Sequence, residues 1–76
     1  MNRYELLKIN EDVIFQFVKN GILSYKIIRD MEIFESYLQL QEDLTQELKF
    51  VLLGEEFGLS HKTIEPIIYT MKNEIR

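Results

Sequence analysis

The groups able to do chemistry in this chain are thirteen acids, nine lysines and arginines, one histidine and nine aromatic rings. Paired carboxylates can share acid–base work, and the candidates are Glu55 with Glu56 and the trio Asp30, Glu32 and Glu35. Such work needs a cleft and displaced pKa values. These acids fall on the outer sides of expected helices, where solubility explains them better. His61 has no partners at ligand spacing, so no metal and no cofactor are expected. There is no Ser-His-Asp set, phosphate-binding loop or Gly-rich dinucleotide turn, and no enzyme is expected. Of the aromatics, Phe15, Phe17, Phe34, Phe50 and Phe57 sit at helical apolar positions and read as core. Tyr4, Tyr25, Tyr37 and Tyr69 are the better surface candidates for stacking or partner contact.

The cations are unevenly placed. The net charge is −4, which opposes phosphate binding. Residues 1–58 hold eleven acids and six bases, a balance of −5. Residues 59–76 hold Lys62, Lys72 and Arg76 against Glu65 and Glu74, a balance of +1. The C-terminal end is therefore the one best suited to meet an anion. Seventy-six residues make one domain with a fully used core. The absence of cysteine excludes disulfides and fits a cytoplasmic location. The run from Val13 to Val18 is broken by Gln16 and preceded by Glu11 and Asp12, so it reads as neither signal peptide nor membrane span.

The elements that position these groups are helices, because apolar residues recur every three or four places. Residues 2–19 carry a stripe of Leu6, Ile9, Val13 and Phe17, widened by Leu7, Ile14 and Val18, with Asn2 as cap. Asn10 before Glu11 and Asp12 is also a good helix start, so this segment is one helix or two. Asn20-Gly21 ends it. A long helix over 24–41 turns Ile27, Ile28, Met31, Phe34, Tyr37 and Leu38 inward, with surface pairs expected between Lys26 and Asp30 and between Arg29 and Glu32. Asp43 or Thr45 caps a third helix to about Phe57, apolar almost all round and so expected at the centre of the bundle. Ser60 caps a last helix with Ile64, Ile67, Ile68, Met71 and Ile75 inward. Pro66 lies six residues inside it, which predicts a bend or loosened turn over residues 62–66.

Residues 50–69 read FVLLGEEFGLSHKTIEPIIY. Gly54 and Gly58 stand fifth and ninth. Leu53, Phe57, Leu59, Ile64 and Ile67 stand fourth, eighth, tenth, fifteenth and eighteenth. This pattern resembles the helix-turn-helix motif of bacterial and phage DNA-binding regulators. The resemblance implies a small residue at the fifth place for close helix approach and a left-handed glycine in the turn. It also implies that Ser60, His61, Lys62, Thr63, Glu65 and Tyr69 face the major groove of double-stranded DNA. The Ser60 and His61 amides would hold a phosphate at the helix start, and Lys49, Lys72 and Arg76 would contact phosphates.

The fold expected is all-α, a small bundle of four or five helices in one domain. Residues 1–42 give its N-terminal helices, and residues 43–76 give its helix-turn-helix portion. The function implied is sequence-specific DNA binding by a transcriptional or mobile-element regulator. Self-association as a homodimer, or a larger protein partner, is expected because so small a reader makes few base contacts. The helix over 24–41 is the surface expected to mediate it. The competing reading is an acidic protein-interaction module on the same scaffold without DNA binding.

Overall fold

The computed structural model describes residues 1–75. They form five helices: α1 (Arg3–Ile9), α2 (Glu11–Lys19), α3 (Lys26–Gln39), α4 (Gln46–Phe57) and α5 (His61–Lys72). The all-α bundle expected from periodicity is what forms. Among the described residues, no helix is long and apolar enough to cross a membrane.

The N-terminal segment is two helices. Asn2 caps α1 through a reciprocal pair: its side chain accepts from the Glu5 amide, and Glu5 accepts from the Asn2 amide, both at 2.8 Å. At Asn10 the backbone leaves helical geometry, and its side chain donates to the Leu6 carbonyl at 2.8 Å. Gly21 follows α2 with φ 74°, the left-handed conformation a helix stop requires. The stripe Leu6–Ile9–Val13–Phe17 does not enter the core. These residues are 40, 68, 49 and 41% exposed. Tyr4 and Leu7 pack on the core instead, and Ile14 is the residue of α2 that is buried. Phe15 is likewise exposed.

α3 is shorter at both ends than expected, though Ser24 still closes its first turn by accepting from the Lys26 amide. It buries Met31, Ile33, Phe34 and Tyr37, while Leu38 points to solvent. Arg29 pairs with its neighbour Asp30 at 2.9 Å, in place of the two surface pairs expected. Thr45 caps α4. Phe50 and Leu53 are buried there, whereas Leu48, Val51 and Leu52 remain partly open. The centre of the bundle is α5, which packs against α1, α3 and α4. Ile64, Ile68 and Met71 are its buried positions; Ile67 is half-buried, and Ile75 lies beyond the helix and is exposed. α4, expected at the centre, packs against α5 and α3 and leaves Leu48, Val51 and Leu52 partly open, because its apolar residues spread over more of its circumference than those two neighbours cover.

The chain ends clasp α1 to α5. Arg3 donates its amide to the Asn73 carbonyl at 2.8 Å, and Ile75 donates to the Met1 carbonyl at 2.9 Å. Tyr4 donates its hydroxyl to Glu35 at 2.6 Å and packs its ring 5.0 Å from that of Phe34. These contacts fix α1 on α3 and leave α2 as an outlying arm.

Candidate nucleic-acid interface

The site is set by the corner between α4 and α5. Gly58 takes φ 69° and ψ 32°, and its amide reaches back to the Gly54 carbonyl. Leu59 donates its amide to the same carbonyl at 2.9 Å. A β-carbon on Gly54 would run into the Leu59 carbonyl oxygen. The close approach therefore involves the backbone of the turn, rather than the body of α5. Leu53, Ile64 and Ile68 are fully buried beneath this corner. With that side of α5 held in the core, its opposite side must face solvent.

Ser60, His61, Lys62, Thr63, Glu65, Pro66 and Tyr69 are all exposed. Ser60 caps α5, its hydroxyl accepting from the Thr63 amide at 3.3 Å and lying 3.1 Å from the Thr63 hydroxyl. α5 runs unbroken from His61 to Lys72 with Pro66 inside it, so the loosened turn expected from the proline does not interrupt the helix. Pro66 has no N–H for the Lys62 carbonyl, so α5 omits that hydrogen bond.

Tyr69 is half-exposed and meets Phe50 edge-on, with ring centroids 6.1 Å apart. Together with Gln46, Glu47, His61 and Glu65 these rings line a shallow cleft of about 350 Å³ between α4 and α5. Gln46, Glu47 and Phe50 were not foreseen as part of this surface. Their signal was present, because positions 46, 47 and 50 share one side of α4. The cleft carries two carboxylates, and His61 is its only basic group.

The expected phosphate contacts divide. Lys62 is exposed and forms no ion pair among the described residues. Lys49 is only 8% exposed and lies 5.3 Å from the centroid of the Tyr37 ring. This corrects its expected role as a phosphate contact: its side chain is buried with the ammonium over the Tyr37 ring. Lys72 donates to the Tyr37 hydroxyl at 2.7 Å and stands 4.7 Å from the same ring centroid. Its ammonium is thus engaged within the fold. Arg76 lies outside the described residues.

Tyr37, which stands on the inward stripe of α3 and was also a surface candidate, is buried, with its hydroxyl donating to Gln46 at 2.9 Å. Burial raises its pKa. The hydrogen bond from Lys72, the Gln46 amide and the charges of Lys72 and Lys49 outweigh that effect and hold the phenol below its ordinary 10.0. Gln46 contributes in that direction when its amide turns an N–H toward the phenolate.

No cluster of metal-ligating side chains occurs among the described residues. Comparison with protein families, curated proteins and solved structures finds no match to this chain.

Proposed function

We propose that the protein binds double-stranded DNA sequence-specifically, using the outward side of α5 from Ser60 to Tyr69 as the reading surface. The observation that carries this reading is the pairing of a tight Gly54–Leu59 corner with an uncovered α5 face. A helix held this way projects its first turns into a major groove. Lys62 serves as donor to guanine or phosphate, and Glu65 accepts from cytosine. The amides of His61 and Lys62 have no acceptor among the described residues and meet a phosphate oxygen at the helix start. Ser60, Thr63 and Tyr69 border these contacts. Regulation of transcription, or of a mobile element, follows from occupancy of such a site.

One observation favours the competing reading, an interaction module for a basic protein surface. Lys49 and Lys72 both engage the Tyr37 ring, and the cleft between α4 and α5 carries the acids Glu47 and Glu65. A random duplex pool separates the two readings. Enrichment of one sequence class by the purified protein supports DNA reading. No enrichment, with every duplex released even at low salt, overturns it in favour of protein recognition.

A further inference from the structure

α2 touches the rest of the molecule mainly through α1 and buries one residue, Ile14. Val18 is half-buried; the remaining apolar side chains of α2, with Ile9 before it and Ile22 after it, are open to solvent. Ile9, Val13, Phe17 and Ile22 are 68, 49, 41 and 67% exposed. Ile22 belongs with them because its amide bonds back to the Phe17 carbonyl at 2.8 Å, which curls the loop against the end of α2. At full areas on the order of 150–250 Å² per large side chain, these four leave about 400 Å² of apolar surface in water. That is close to the apolar share of one side of a standard interface, roughly 800 Å² per partner and somewhat over half apolar.

We propose that this surface pairs with a second copy of the chain, α2 against α2 in antiparallel sense, about a two-fold axis near Phe15 and Gln16. The sequence is self-complementary in that register. Ile9 of one copy meets Ile22 of the second, and Val13 meets Phe17. The charges agree with the same register. Asp12 at the start of α2 and Lys19 at its end have no ion-pair partner among the described residues. The two-fold sets each Asp12 beside Lys19 of the second copy, twice by symmetry. Antiparallel packing also opposes the two helix dipoles favourably. α3, expected to mediate pairing, turns Met31, Ile33, Phe34 and Tyr37 into the core of its own copy. The inference does not depend on what α5 binds.

Sedimentation equilibrium of the full chain tests it without any ligand. The expected mass is twice 9.2 kDa at tens of micromolar protein. Val13→Lys with Phe17→Lys returns the monomer mass, and circular dichroism shows the helices retained because both side chains are exposed in the single copy. Asp12→Lys and Lys19→Asp each weaken pairing about tenfold, and the two together restore it. A monomer across this concentration range overturns the proposal, leaving the surface to a different protein. Failure of the double exchange to restore pairing overturns the register.

Discussion

Gly54 lies directly beneath the carbonyl oxygen of Leu59, with no room between them for a β-carbon. In an ordinary helix interior, Gly→Ala stabilises by about 1 kcal/mol. Here the sign reverses, because the obstructing atom is backbone and cannot swing aside. Gly54→Ala is expected to destabilise the fold by about 2 kcal/mol or more in urea unfolding. Gly58 has open space around it and a left-handed backbone, so Gly58→Ala should cost only about 1 kcal/mol, from strain. Equal effects of the two substitutions would remove the steric basis for the corner.

Pro66 is exposed and sits in the middle of α5, so it lies outside the core and omits one helical hydrogen bond. Pro66→Ala should raise stability by about 1–3 kcal/mol. A loss of stability in thermal and urea unfolding would mean that the proline holds a geometry the helix needs.

Glu35 accepts from Tyr4 and pairs with Lys8 at 3.1 Å. The Tyr4 hydrogen bond outweighs burial and, with Lys8, holds its carboxyl below the ordinary 4.5. A depressed carboxylate stabilises the fold above the unfolded value and loses that contribution as pH falls through the folded value. Urea midpoints should therefore drop on acidification below pH 4.5, and Glu35→Gln should show a shallower drop. An unchanged slope in the variant would contradict the assignment.

The phenols should titrate apart. Burial and the Glu35 carboxylate push Tyr4 up to about 12, while Tyr37 lies below 10.0. By the same linkage, Tyr4 stabilises fully below the unfolded phenol value, and this is lost as pH rises through about 12. Tyr37 acts in the opposite sense, adding stability as pH rises through its lowered value. Absorbance titration of Tyr37→Phe should lack the earliest phenolate, and Lys72→Met should move it upward. An early phenolate that survives Tyr37→Phe would place the lowered group elsewhere.

Much of this architecture is legible in the residues themselves. The caps at Asn2, Thr45 and Ser60 and the stops at Gly21 and Gly58 are local chemistry, so they can be read without knowing the neighbours. The facing of α1 and α2 cannot. Both Leu6–Ile9–Val13–Phe17 and Tyr4–Leu7–Ile14 are spaced for a helix face, and only the packing of Tyr4 on Glu35 and Phe34 selects the second. Lys49 fails for a similar reason. A lysine is ordinarily an outward residue, and the Tyr37 ring that receives it comes from another helix. The outer face of α5 is legible because Ile64 and Ile68 mark the opposite side.

The proposal that α5 reads DNA through Lys62 is tested most directly by fluorescence anisotropy with labelled duplex. Binding is expected at low salt and should weaken steeply as salt is added. Lys62→Glu should abolish binding, while Lys49→Met should leave the salt slope unchanged. Absence of binding at low salt, or a Lys62→Glu protein that binds as tightly as the parent, would contradict it.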